Sequence, residues 1–298
     1  MSYNRKEFLK TSAALAAGLC MSDLPLTGFA APGGTKKYGI QLYTVRNDVN
    51  KNLASTIEYV AKAGYNQLEL YGFDGKTFFG KSPKEFKAML AASHLTAPSG
   101  HYGMPDSVVE GNTDAWKAIV EAAAIMGNKY VTIPYTNDQY RKGDGLKKYV
   151  QAINTAAELT RKAGMKLAYH NHDFEFNKIN DEQFLEVMLS QTDPSLVDFE
   201  LDLYWVVYAG ENPVDWFKKY PGRFTMWHVK DMTTNAKGEK ESTQVGDGTI
   251  DFAPVFAQKK LAGLKYAFVE QEAYTMPEEQ CIKKSIAYLK KKNWGNRL

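Results

Sequence analysis

From about residue 36 onward, apolar residues recur at three-to-four spacing in one stretch after another. Each stretch runs through a Gly into a short apolar run. "TIEYVAKAGYNQLELYG", "AIVEAAAIMGNKYVTIPY", "AINTAAELTRKAGMKLAYHNH" and "FAQKKLAGLKYAFVEQE" are four copies of this unit. The spacing puts the apolar positions on one helix face. The Gly stands where a helix end needs a positive φ. The Val, Ile, Leu, Tyr or Phe run that follows has the composition of a strand. Tyr38–Tyr43 ("YGIQLY"), Thr96–His101 ("TAPSGH"), Asp198–Tyr204 ("DFELDLY") and Phe224–Lys230 ("FTMWHVK") supply four more strands. Eight strand–helix units predict an α/β fold, a (β/α)8 TIM barrel over residues 36–298, as a single domain. A doubly wound open sheet would carry a Gly-rich phosphate turn after an early strand, and "LYTVRNDV" contains no Gly.

A barrel draws its reactive groups from the C-terminal ends of its strands and the loops that follow. In chain order those ends carry Gln41 and Tyr43, Glu69, His101, "TIPY", "YHNHDFEF", "ELDLYW", "WHVKD" and "VEQE". Four of the 5 histidines (His101, His170, His172 and His228) fall there. One of them alone would pass for an ordinary core or surface histidine; four together point to a site. Asp202, His228 and Glu270 end strands six, seven and eight, which converge on the barrel axis. Such a mixed carboxylate and imidazole set suits Mn²⁺, Co²⁺, Fe²⁺ or Zn²⁺. Its oxygen-rich balance leans to Mn²⁺ and leaves Mg²⁺ open. Strand five should add a donor from among His170, His172 and Glu175.

With 298 residues and 44% apolar content, the chain can bury one large core. A net charge of +3, with both signs interspersed, excludes the concentrated basic stripe of a nucleic-acid binder. Residues 1–31 have another character. "NRKEFLKTSAALAAGLCM" has a basic start and a short apolar region, and "LTGFAAPGG" offers Ala30 or Ala31 to a signal peptidase. Arg5-Lys6-Glu7-Phe8-Leu9-Lys10 resembles a twin-arginine export signal with Lys in place of the second Arg, so Sec and Tat routes both stay open. The expectation is an exported, periplasmic protein with no transmembrane segment after cleavage. A lipoprotein through Cys20 is the minor alternative, since Leu19 suits it poorly. With Cys20 in the removed segment, Cys281 stands alone and no disulfide framework exists. Gly246-Asp247-Gly248 reads as a tight turn rather than a phosphate cradle, because no Walker-type lysine pattern follows.

"AGYNQLEL", "LDLYW", "WHVKD", "GDGTIDF" and "FVEQE" resemble the sugar isomerase/epimerase group of xylose isomerase-like barrels. That group includes ketose 3-epimerases, hydroxypyruvate isomerase and inosose dehydratase, with endonuclease IV more distant. Strand five in this family usually carries Glu six residues after the helix-capping Gly. Six residues after Gly164 stands His170, and the "HNH" form resembles the inosose dehydratase side. The resemblance implies a divalent metal held by His170, Asp202, His228 and Glu270, with Glu175 as a further ligand or base. It implies Glu270 as acid–base group and His170 or His172 opposite. Lys230 would hold a substrate oxygen or pair with Glu200 or Glu272. Tyr43, Glu69, His101, Asn171 and Trp205 would line the sugar, and Tyr102, Tyr204 and Trp227 join the aromatic residues at these strand ends, although Trp227 should face away from the side of His228 and so suits ordinary core packing. The implied reaction is proton abstraction next to a carbonyl through an enediolate, giving isomerisation or epimerisation of a non-phosphorylated sugar or keto-glycoside. A metal-dependent lyase or dehydratase on a keto-sugar and a non-catalytic carbohydrate-binding barrel are the alternatives. A small sugar is the expected partner, nucleic acid is not, and a homo-oligomer stays open.

Overall fold

The computed structural model describes residues 36–179 and 182–295, so the expected signal segment 1–31 and Cys20 lie outside the described residues. Eight parallel strands close into a barrel: β1 Gly39–Gln41, β2 Gln67–Leu70, β3 Thr96–His101, β4 Tyr130–Ile133, β5 Lys166–His170, β6 Val197–Asp202, β7 Met226–Val229 and β8 Tyr266–Val269. Each strand pairs with its sequence neighbours, and β8 returns to β1. The glycines that mark the repeated unit sit at positive φ: Gly64 at 106°, Gly127 at 85°, Gly164 at 80° and Gly263 at 81°. There they end helices Leu53–Ala63, Asp114–Met126, Gly143–Lys162 and Lys259–Ala262. At Gly263 a side chain would also meet the Gly222 backbone at about 3.0 Å, so strain and space both require Gly.

Two apolar bodies frame the site. The larger lies between strands and helices and takes the outward residues of the strands, such as Val197, Phe199 and Leu201 of β6. The smaller fills the barrel interior with Tyr130, Ala168, Met226, Tyr266 and Phe268. Above this plug the inward positions turn polar. Because strand side chains alternate, Asp198, Glu200 and Asp202 of β6 share its inward face at three heights. Asp198 at the bottom meets Lys166, Tyr130 and Thr225. Glu200 and Asp202 belong to the polar layer above.

After β7 the chain forms a hairpin, Asp231–Thr234 paired with Lys240–Thr243. The Gly246–Gly248 turn then closes on the Asp231 carboxylate, which accepts the backbone N–H groups of Gly246, Gly248 and Ile250. A side chain at position 248 would collide with that carboxylate. The turn is thus filled by the protein's own anion. Cys281 is free and buried, and its sulfur accepts from Gln244. No helix among the described residues is long and apolar enough to cross a membrane.

Candidate active site and metal centre

Asp202 ends β6 and caps the helix that follows, Leu203–Tyr208. Its Oδ1 accepts the N–H groups of Tyr204 (2.8 Å) and Trp205 (3.2 Å). The helix N-terminus thereby fixes the carboxylate. Its Oδ2 is buried without a hydrogen-bond partner, and lies 3.8 Å from His228 Nδ1. The same nitrogen lies 3.0 Å from Glu270 Oε2. Asp202, His228 and Glu270 thus bring three donor atoms to one point at the mouth of the barrel.

His228 turns its other nitrogen inward. Nε2 lies 2.6 Å from Glu69 and 3.2 Å from Glu200. Glu69 is held in place by Gln41 Nε2 (2.9 Å) and the Ser99 hydroxyl (2.6 Å). His101, His170, Glu200 and His228 make a second donor group, in which Glu200 stands further in along its strand than Asp202 while His101 and His170 open onto the cavity at the barrel mouth. His170 therefore joins the inner group through its Nδ1 and not the mouth group.

Lys230 is fully buried two residues after His228. Its ammonium lies 2.5 Å from Glu272, 3.2 Å from Glu270 and 3.8 Å from Asp202. Glu200 is not its partner. Tyr204 and Trp205 cover it, with their rings 5.2 and 5.1 Å away.

Burial and charge divide the protons among these groups. Burial alone would raise Glu270, but Lys230 and His228 overcome it and hold this carboxyl well below its usual range. Burial pushes Asp202 up to about 7, with Lys230 opposing. The neighbouring pair thus tends to hold one negative charge and one proton, with the charge on Glu270. Burial and the Glu69 charge push Glu200 up to about 7. Burial works against a charge on His101, yet Glu69 and Glu200 raise it to about 9. Burial and the neighbouring imidazoles hold His170 well down, and burial with Lys230 brings His172 to about 3, so both rings are neutral.

A cavity of about 430 Å³ opens above the mouth group, bounded by Tyr43, Tyr71, Phe73, Tyr135, His101, His172 and Glu270 among others. His172 presents a buried Nδ1 without a hydrogen-bond partner. A smaller hollow beside it is lined by Tyr204, Trp205 and Lys230, and Glu272 borders both.

Several expected site residues do other work. Glu175 lies outside both donor groups. It lies behind β5, where it accepts from the Tyr169 hydroxyl (2.8 Å) and the His172 N–H (2.7 Å). Tyr169 itself points outward against Phe184 and Phe199. Asn171 is not among the residues that line the cavity. It is buried, accepts the Asp202 N–H and donates to the His172 carbonyl, tying the ends of β5 and β6 together. Glu69 is fully buried and does not line the cavity. Tyr102 donates to Asn128 in the core, and Trp227 stacks on Phe217 outside the barrel, so neither forms a wall of the site.

Burial pushes Glu175 up to about 8 from 4.5. The folded state then binds its proton more tightly than the unfolded state, so stability falls as pH rises from about 4.5 to 8, by at most about 1.4 kcal/mol per pH unit from this group. Glu175→Gln can accept the His172 N–H through its amide oxygen and donate its NH2 to the Tyr169 oxygen, whose own proton can turn to Thr136, and it removes the titration. Urea unfolding at pH 5 and pH 8 should therefore show a shallower loss for the variant, with its metal content unchanged. Equal slopes, or a lost metal ion, would contradict this placement.

A sequence model of xylose isomerase-like TIM barrels matches residues 57–292. The chain belongs to that family. The inosose dehydratase of Clostridium botulinum strain Eklund 17B is 32% identical over 267 residues, 76% of this chain and 88% of that one. A sugar phosphate isomerase/epimerase structure from Parabacteroides distasonis superposes with a TM-score of 0.77 at 27% identity, over 87% of this chain and 97% of that chain. The IolI protein solved with a zinc atom superposes at 0.66 and 17% identity, over 85% and 97%. In this xylose isomerase-like barrel, Glu200 is the inner-group residue that the sequence reading passed over as a site residue. Its signal was available: it stands two positions before Asp202 and so on the same strand face.

Proposed function

We propose that this barrel is a divalent-metal-dependent enzyme that removes a proton next to the carbonyl of a sugar. One observation carries the reading: Asp202 Oδ2, His228 Nδ1 and Glu270 Oε2 converge beneath the cavity, and the Asp202 oxygen has no hydrogen-bond partner. The mixed oxygen and nitrogen donors fit Mn²⁺, Fe²⁺, Co²⁺ or Zn²⁺, with Mn²⁺ favoured by two carboxylates. When bound, the cation supplies positive charge for the oxyanion that develops beside the reacting carbon.

The chain's own residues do the rest. Lys230 keeps Glu270 ionised, so Glu270 can take the carbon-bound proton. Burial works against a charge on His228, yet Glu200, Glu270 and Glu69 keep its metal-free ring protonated. Glu69 beside Nε2 is placed to hold that proton when the one on Nδ1 is given up to a cation, the usual way a carboxylate sets a ligand's tautomer. His172, neutral and bordering the cavity, offers a hydrogen bond to a sugar hydroxyl. Tyr43, Tyr71 and Phe73 give the sugar's C–H face an aromatic wall.

Return of the proton gives isomerisation or epimerisation. Expulsion of a β-oxygen gives elimination: the C–H electron pair becomes the new C=C bond, the C–O bond breaks, and the leaving oxygen takes up a proton. The elimination reading is favoured by His170. It stands where the family usually places a second glutamate, and elimination needs only one base. The inosose dehydratase relatives support it further.

No Lys or Arg is among the residues lining the cavity, which favours a neutral sugar or keto-glycoside over a sugar phosphate. The pattern of residues 1–31 supports the same substrate class, with the protein working in the periplasm.

A cation must displace the proton on Asp202, so binding should release protons and weaken on acidification. Manganese titrations at pH 8 and pH 6 are expected to differ by about tenfold in affinity or more. Equal affinities would place the ion elsewhere. The reaction itself is tested by deuterium uptake from D₂O into ketoses and 3-keto-glycosides, followed by NMR, with and without EDTA. Uptake abolished by EDTA supports the proposal, and uptake unaffected by EDTA contradicts it.

A further inference from the structure

We propose that the barrel binds a second divalent cation, held by His101 Nε2, His170 Nδ1 and Glu200, next to the ion on Asp202, His228 and Glu270, with His101 and His170 opening onto the same cavity. The site does not depend on which sugar reaction runs beside it.

Three observations carry the proposal. First, the donors converge at the right spacing. Tetrahedral donors at about 2.1 Å from a metal stand about 3.4 Å from one another. Glu200 Oε2 lies 2.9 Å from His101 Nε2 and 3.3 Å from His170 Nδ1.

Second, the pocket contains buried atoms that protein hydrogen bonds leave unmet. His170 is 3% exposed and Glu200 is fully buried. His170 Nδ1 and Glu200 Oε1 nevertheless have no hydrogen-bond partner. Buried polar atoms are nearly always paired, so an orphaned His170 Nδ1 3.3 Å from a carboxylate whose other oxygen is also unpaired asks for a ligand. A proton-sharing cluster accounts for the His101–Glu200 contact but leaves both atoms unmet.

Third, His228 can serve the mouth without being shared. Its Nε2 lies 2.6 Å from Glu69 and its Nδ1 3.0 Å from Glu270, so it can turn Nδ1 to the mouth while His101, His170 and Glu200 remain for the inner ion. Glu69 itself lies 3.2 Å from His101 Nε2 and can add a fourth donor. The inner set holds two imidazoles where the mouth set holds one. It should therefore prefer Zn²⁺ or Co²⁺, whereas the mouth leans to Mn²⁺.

Cobalt tests the proposal without any substrate. The protein is loaded with Co²⁺ and gel-filtered. Its metal is counted by elemental analysis, and its visible spectrum is recorded. Wild type should hold about two ions per chain. His101→Asn and Glu200→Gln should each hold about one, as should Asp202→Asn, and the ion remaining in Asp202→Asn should have a different spectrum. Two inner-pocket variants guard against one of them failing to fold. A single wild-type ion, lost in Asp202→Asn and kept in both inner variants, overturns the second site and leaves the proposed function standing. A single ion kept in Asp202→Asn and lost in the inner variants overturns both the two-ion proposal and the placement at the mouth. No bound cobalt overturns both sites.

Discussion

Replacing Glu270 with glutamine is expected to slow deuterium uptake into a converted sugar by about 10²–10⁴-fold, the usual contribution of a positioned general base. The variant retains size and shape but loses the basic oxygen. Glu270 is singled out by its surroundings. Lys230 and His228 hold its charge against burial, whereas the Asp202 carboxyl beside it rises to about 7. Glu272→Gln makes the fitting control. Glu272 also touches Lys230, at 2.5 Å, but its side chain is 39% exposed and it ends no strand. Its loss should cost about tenfold or less. A Glu270→Gln variant that exchanges at the wild-type rate would remove Glu270 from the chemistry.

Lys230→Met is expected to destabilise the metal-free protein by about 3–5 kcal/mol, the cost of leaving buried charge without its partner. Asp202 and Glu270 would lose the cation that both now share. Protonation of Asp202 can relieve part of that cost, so the deficit should be larger at pH 8 than at pH 6. A dication at the mouth replaces the missing charge, so Mn²⁺ should stabilise the variant more than it stabilises wild type. Urea denaturation in EDTA and in Mn²⁺, at both pH values, measures all of this. A variant as stable as wild type in EDTA would mean that the ammonium contributes no charge balance to the site.

The barrel was legible because the helix–Gly–strand unit repeats, and each Gly must solve the same backbone problem. The ends of strands were less so. Asp198–Tyr204 reads as one strand, yet β6 stops at Asp202, whose carboxylate starts the next helix. The run "LYWVVY" is apolar throughout and has no period to announce that change. Asp202, His228 and Glu270 could be picked out because strand ends face the mouth in any such barrel. Glu175 and Asn171 could not be placed. Beyond the end of β5 no strand alternation applies, and only the packing of Tyr169 against Phe184 and Phe199 determines which way the loop turns. The division of the donors into two groups depends on His228 using both of its nitrogens, and residue spacing carries no sign of that.

The central claim is a metal ion on Asp202, His228 and Glu270, and metal content tests it most directly. Wild type and Asp202→Ala would be soaked in Mn²⁺, gel-filtered and measured by elemental analysis. Wild type should retain at least about one ion per chain, and Asp202→Ala should retain one fewer. Equal content in the two proteins, or no metal in wild type after soaking, would contradict the account.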